Sequence, residues 1–299
     1  MAKETNIFID FPTLPVELIR EFKKTTDASY KAFSREYGDF IESFFNPLLK
    51  FLVFWEKLLV ATPWPIIIGV VCALAYYGTR SYKIIIGIII SFFFVGYMGM
   101  WDDMMQSMGF IIVATIMAIT FGIPLGVWMA KSNRAQSVIT PILDFMQTLP
   151  PFVYLIPVVM LLGIGKIPGL ISVIVYALPP MIRLTNLGIR EVDREILEAA
   201  DSFGATPWQK LTQVQFPLAL PTIFAGVNQT IMMALAMVII ASMIGVKGLG
   251  QEVLRAITNQ YFTLGMLNGL AIVILAIVFD RISQAYGKRI QKHRSGDAI

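Results

Sequence analysis

Runs of about twenty apolar residues recur along the chain with short polar breaks between them. A helix needs about that many to cross a hydrocarbon core of about 30 Å. Seven such spans are predicted, at 62–79, 83–101, 106–130, 141–163, 167–187, 221–245 and 264–286. The third has the longest apolar pattern, and the fourth and fifth are punctuated by proline. Ahead of them, Ile41, Phe44, Phe45, Leu48, Leu49, Leu52, Phe54 and Trp55 recur near helical spacing, with Glu42, Asn46, Lys50 and Glu56 between them. That pattern reads as an amphipathic helix at a membrane interface. The competing reading, an eighth span, has to carry the cost of Lys50, Glu56 and Lys57 in hydrocarbon.

Composition agrees with lipid as the solvent. The 299 residues are 56% hydrophobic and 15% charged, with a mean hydropathy of +0.69, too apolar for one water-soluble core. The fold class expected is therefore all-α and membrane-embedded, with about seven transmembrane helices. A net charge of +4 is small and spread among the ends of apolar runs, which excludes a nucleic-acid partner and leaves membrane lipid. Orientation follows from lysine and arginine, which concentrate in cytoplasmic loops. Arg80 with Lys83, Lys131 with Arg134, and the tail with Lys288, Arg289, Lys292 and Arg294 alternate with the poorer connections at Asp102 and Asp103, at Lys166, and at Lys247 and Arg255. The N-terminus is predicted outside and the C-terminus in the cytoplasm. The first 59 residues hold eight basic and nine acidic side chains, but long segments cross regardless of charge. Charges recurring through this segment argue against a cleavable signal.

The longest polar interruption, Arg190 to Pro217, is built for rigidity. Val192, Ile196, Ala199, Ala200 and Phe203 share one face of a predicted helix over 191–203, with Asp193, Glu195, Glu198 and Asp201 largely elsewhere. Gly204 stops it. Thr206 caps a second helix, with Pro207 at its first position and Gln209 completing a capping box, and Pro217 is expected to end it. Such a unit can fit a groove on a soluble partner, or it can simply join two spans.

The residues Glu198-Ala199-Ala200, then Gly204, Val214, Phe216 and Pro217 resemble the EAA motif of ABC importer permeases, EAA-x3-G-x9-I-x-L-P. Valine and phenylalanine stand for isoleucine and leucine, which changes the packing face and keeps the bend. The stretches 216–230 and 240–250 are similar to the glycine betaine/proline betaine permease branch, and the similarity runs from about 105 to 290. The resemblance implies a type I importer permease fold, with Glu198, Ala199, Ala200, Asp201, Gly204 and Pro217 as the element that couples to an ATPase. It implies two copies of an ATP-binding subunit that holds ATP and Mg, an extracytoplasmic substrate-binding protein and a permease homodimer. It also implies cargo such as glycine betaine, proline betaine, choline, carnitine or trimethylamine N-oxide. The organisation expected is an N-terminal tail with the interfacial helix over 1–60, accessory helices over 61–105, the permease core over 106–290 and a tail over 291–299. The segment before the first span is similar to that branch, while residues 1–40 match no pattern. Gly245, Gly248 and Gly250 suit a tight turn at the outer end of span six, where the resemblance suggests a gate.

Catalysis by this chain is not expected. Gly165-Lys166 and Gly287-Lys288 lack the rest of a phosphate loop, and neither a paired-histidine zinc motif nor a nucleophile elbow is present. No cofactor is predicted. Cys72 and His293 each stand alone, the histidine in a solvated basic tail. For the solute path, Pro150, Pro151, Pro157, Pro179 and Pro180 free backbone carbonyls that must line a cavity or be buried in protein. Pro150, Pro151 and Tyr154 are the path residues chosen there. Asn228, Gln229 and Thr230 join them, with helix-to-helix hydrogen bonds as the alternative use. Phe152, Tyr154 and Tyr176 supply aromatic faces without defining a cage. An ion-coupled carrier or channel is the alternative function, for which Asp144 and Asp280 are the only acidic residues the spans offer.

Overall fold

The computed structural model describes residues 13–292, with side chains to residue 287, so the first twelve residues, His293 and Arg294 lie outside it. Every regular element among the described residues is helical: α1 Val16–Ala61, α2 Trp64–Thr79, α3 Tyr82–Tyr97, α4 Trp101–Lys131, α5 Asn133–Thr148, α6 Pro151–Leu162, α7 Lys166–Arg190, α8 Arg194–Ser202, α9 Pro207–Gln209, α10 Phe216–Ala241, α11 Leu249–Asn259 and α12 Phe262–Lys292. A π-helical segment, Lys210–Gln215, joins α9 to α10 without a break.

Four helices are long and apolar enough to cross a membrane singly: α4, α7, the continuous run Pro207–Ile244, and α12. Two helix pairs pass the same test only when taken together, and each is sharply bent at the break between its members. The expected span 141–163 is broken at Pro150, where α5 and α6 meet at 99°. Leu149 there must be extended because α-helical geometry clashes with the following proline ring, and its φ of −68° with ψ of 132° meets that demand. Helices α1 and α2 meet at 108° in the same way, over Thr62-Pro63. Helix α3 is apolar but only 16 residues long.

Helix α7 is the centre of the bundle, packed between α4 and α10. In lipid, helices gain little by burying apolar surface against one another, so close approach through small residues does the work. On α4, a Cβ at Gly122 would lie 2.6 Å from Met181 Cγ, and one at Gly126 would lie 2.5 Å from Thr185 Cβ and 2.8 Å from the Ile182 carbonyl. Gly188 of α7 meets Thr222 and Ala219 of α10, and Gly226 of α10 meets Leu184. Pro179 and Pro180, expected to disrupt span five, lie buried inside the uninterrupted α7.

Helix α1 is far longer than the predicted amphipathic segment. Its C-terminal third packs on α4, where Leu52 is buried and Gly109 sits against the backbone of Glu56. Glu56, one of the charges that weighed against burial, is itself buried and forms an ion pair with Lys166 at the start of α7. Farther back, Ser34 Oγ donates to the carbonyls of Met160 and Leu161 at 3.2 Å each, and the Tyr30 hydroxyl donates to the Pro157 carbonyl. The serine thereby satisfies two C-terminal carbonyls of α6 that have no intrahelical donor, and the tyrosine adds a bond one turn earlier. Helix α1 thus straps the end of the bundle that holds Lys166.

Candidate functional site

The loop between α7 and α10 forms at the end of the bundle opposite that strap. Asp193 begins α8 by accepting from the Glu195 amide at 3.0 Å, so the helix starts at Arg194 rather than Glu191. It closes with a Schellman turn: the Ala205 amide reaches the Ala200 carbonyl at 3.0 Å and the Gly204 amide reaches that of Asp201 at 2.9 Å. Gly204 has φ +75° and nothing within 4 Å of an added Cβ, so its requirement is for backbone conformation and not for space. The capping box forms as expected, with the Thr206 amide donating to Gln209 Oε1 at 2.9 Å and the Gln209 amide to Thr206 Oγ1 at 3.3 Å.

Pro217 does not end the second helix. The chain passes through it by widening into the π segment, in which the Phe216 amide bonds the Leu211 carbonyl five residues back. Proline lacks the N–H for the α-helical bond and crowds the carbonyl four residues earlier. A π turn relieves both demands without breaking the helix.

Ion pairs and hydrogen bonds tie the unit to the spans. Lys210 Nζ holds Asp201 Oδ1 and Oδ2 at 2.5 and 2.7 Å, bracing α8 against the π segment. Lys131 Nζ at the end of α4 donates to Gln215 Oε1 at 3.0 Å. Arg190 donates to Asn186 Oδ1 at 3.1 Å, to Asn133 Oδ1 of α5 at 2.9 Å and to the Met129 carbonyl of α4 at 3.0 Å. Sequence reasoning missed this arginine, because its partners on α4 and α5 lie 61 and 57 residues away and no local pattern marks them. Among the outward side chains are three large apolar ones: Ile196 is 43% exposed, Trp208 71% and Phe203 93%. No residue of α8 is buried. Glu198 and Ala199 share that exposure, and Ala200 is half-buried.

The expected path residues do not converge. Tyr154 is buried, donates to the Met146 carbonyl and meets Tyr176 edge to face at 5.7 Å, while Phe152 is exposed. Pro150 and Pro151 form the corner between α5 and α6. Asn228, Gln229 and Thr230 are consecutive on α10, so helical geometry turns them about 100° apart. Asn228 Nδ2 donates to Asp280 Oδ1 of α12 at 3.1 Å and its Oδ1 accepts from Ser283, Gln229 is exposed, and Thr230 is fully buried with its hydroxyl unpaired. Asp280 also accepts from Gln284 at 2.7 Å. Asp144 pairs with Arg183.

At the opposite end, the glycine turn forms at Gly245 and Gly248, while Gly250 lies in the first turn of α11. Gly245 and Gly248 have φ of +91° and +124°. A Cβ at Gly248 would strike Ser107 Oγ at 2.4 Å, and that hydroxyl accepts from the Leu249 amide at 2.9 Å. Helix α11 follows and was not foreseen, its short amphipathic pattern being hidden in the gap between spans six and seven.

Comparison with known proteins gives this geometry its context. Residues 122–292 match the family described as binding-protein-dependent transport system inner membrane component. The chain is 44% identical to the glycine betaine/carnitine transport permease protein GbuB of Listeria monocytogenes over 83% of this chain and 90% of that one. It is 40% identical to the glycine betaine transport system permease protein OpuAB of Bacillus subtilis over 96% and 99%. It is 48% identical to the glycine betaine/proline betaine permease protein ProW of Escherichia coli over 78% of this chain, and spans 66% of that longer protein. Among solved structures, an inward-facing MetNI methionine ABC transporter shares the fold, with TM-score 0.53 and 20% identity over 62% of this chain and 92% of that one. The chain therefore belongs to the binding-protein-dependent transport system inner membrane components.

Proposed function

We propose that this chain is the membrane-spanning subunit of an ATP-driven importer for a small quaternary ammonium or N-oxide osmolyte, glycine betaine foremost, and that Arg190–Pro217 docks a separate ATPase. The observation that carries the docking role is the exposed Ile196, Phe203 and Trp208 on a loop whose backbone is locked by caps and whose base is pinned to α4 and α5 by Lys131 and Arg190. A displacement of α8 would pass through Asp201–Lys210 and Lys131–Gln215 into α10 and α4 as a rigid-body movement. ATP can shift the transport equilibrium only by binding one state better than the other; closure of the ATPase on this loop would favour the outward-open state. The osmolyte assignment rests on the named relatives, which carry glycine betaine, carnitine or proline betaine in their titles.

In this reading two permease copies pair over two ATPase copies, which hold ATP and Mg, and an extracytoplasmic binding protein delivers the solute. The N-terminus lies outside and the C-terminus in the cytoplasm. The positive-inside pattern supports this, as does the C-terminal part of α12, where Gly287 packs on Phe224 two turns into α10, toward the loop. Residues 106–290 act as the core, 61–105 as accessory helices and 1–60 as an outward extension. The turn at Gly245–Gly250 acts as an outer gate. Proteoliposomes holding the chain with its ATPase and binding protein should accumulate radiolabelled glycine betaine only with ATP inside or outside according to orientation. Competition with choline and trimethylamine N-oxide ranks the cargo. Uptake driven by an ion gradient without ATP would overturn the reading in favour of a secondary carrier.

A further inference from the structure

Helices α3 and α12 leave an open cleft of about 270 Å³ between them. Gly87, Ile88 and Ser91 of α3 and Ile277, Val278 and Arg281 of α12 line it. Its wall is predominantly hydrocarbon, and Gly87 faces open space, with nothing within 4 Å of an added Cβ. Clefts for drug-sized ligands usually run to about 300–1,000 Å³, so this one suits a single narrow chain.

The one charged residue in the lining is Arg281. It lies within the membrane-spanning stretch Phe262–Gly287 and is exposed, and no carboxylate pairs with it among the described residues. Its neighbour Asp280 is already engaged, accepting from Asn228 of α10 and from Gln284 one turn on along α12. An unpaired arginine in hydrocarbon is costly unless it reaches the interface or finds an anion. Six residues separate it from Gly287, about 9 Å along the helix at 1.5 Å per residue, which brings the guanidinium within reach of the headgroup level. The α2–α3 turn is at the same level: Gly78 packs on Ala285 and Tyr286, and exposed Arg80 and Lys83 flank the turn.

An apolar slot that opens sideways, with an unpaired arginine in its wall and two exposed cations at the neighbouring turn, is complementary to one class of molecule. We propose that the α3–α12 cleft is a binding site for an anionic glycerophospholipid, one acyl chain lying along Gly87, Ile88 and Ile277 and the phosphodiester accepting hydrogen bonds from Arg281. Arginine suits this role because its planar donors meet phosphate oxygens in pairs. Basic pockets between spans are a recurrent form of lipid recognition. The site lies away from the coupling loop and stands whether or not the transport reading does.

The test compares lipid retention by the purified full-length protein, by native mass spectrometry from nanodiscs holding equal dioleoyl phosphatidylglycerol and dioleoyl phosphatidylcholine. The wild type should retain phosphatidylglycerol over phosphatidylcholine by about fivefold or more. Arg281→Gln should remove the preference, Arg281→Lys should keep most of it, and Gly87→Leu should reduce retention of both lipids by filling the slot. Monodisperse elution of each variant certifies folding. Equal retention of the two lipids by the wild type, or an unchanged preference in Arg281→Gln, overturns the proposal.

Discussion

Gly204 offers the sharpest separation of two physical causes. Its φ of +75° lies in the left-handed region, yet an added Cβ would touch nothing within 4 Å. A side chain there meets no steric obstacle, and the whole cost is conformational, about 1–2 kcal/mol for an ordinary L-residue. A shift of that size lowers the population of the native turn by up to about 5–30-fold. Asparagine tolerates the left-handed region better than alanine, and β-branched valine tolerates it least. The expected order of coupled transport is therefore Gly204, then Gly204→Asn, Gly204→Ala and Gly204→Val, although asparagine is larger than alanine. The assay is solute accumulated per ATP hydrolysed in proteoliposomes, normalised to the amount of inserted protein. All four proteins should insert and melt alike, because α8 and Gly204 contribute no buried residue to the bundle. Two results would refute the reasoning: asparagine as impaired as valine, or valine transporting at the wild-type ratio.

Other substitutions probe the bundle. Gly126→Leu forces side-chain atoms into the Ile182 carbonyl and Thr185, where a Cβ alone would lie at 2.8 and 2.5 Å; overpacking of this kind costs about 1–3 kcal/mol or more, and thermal unfolding in detergent should show it, while Gly269→Ala, into open space, should be silent. Lys166→Met strands the buried Glu56 carboxylate, a loss of about 3–5 kcal/mol for a fully buried pair; the penalty is reduced here because Lys166 keeps 29% exposure. Adding Glu56→Gln to it should restore much of the melting temperature, and a double mutant no more stable than Lys166→Met would argue against the pair. Pro217→Ala removes the cause of the π segment, and a return to α-helical bonding would turn the loop about 100° relative to α10 for the one residue absorbed. Uptake per ATP should fall while thermal stability holds or rises, and unchanged coupling would show that the π segment does not set the loop's direction.

Sequence alone determined what depends on neighbours along the chain. The apolar runs dictate an all-helical membrane protein, because in lipid each backbone polar group needs a partner within its own segment. The caps at Thr206 and Gln209 and the turn at Gly204 were legible because their hydrogen bonds span five residues or fewer. The break at Pro150 was legible as a place, although its 99° angle was not. Tertiary structure decided whatever joins residues far apart. It buried Glu56, a charge that by itself argued for solvent, by setting Lys166 of α7 beside it. It carried the second loop helix through Pro217, where the local rule predicted an end, because a π turn absorbs the missing donor. It sent Asn228 and Thr230 to different neighbours, since three consecutive residues on a helix cannot share one face. It also placed Arg190 between α4, α5 and α7, so that a loop written locally as two capped helices became fixed to the spans it would have to move. Local hydrogen bonds and hydropathy are written in short windows, whereas pairing across a bundle depends on which helix faces arrive together.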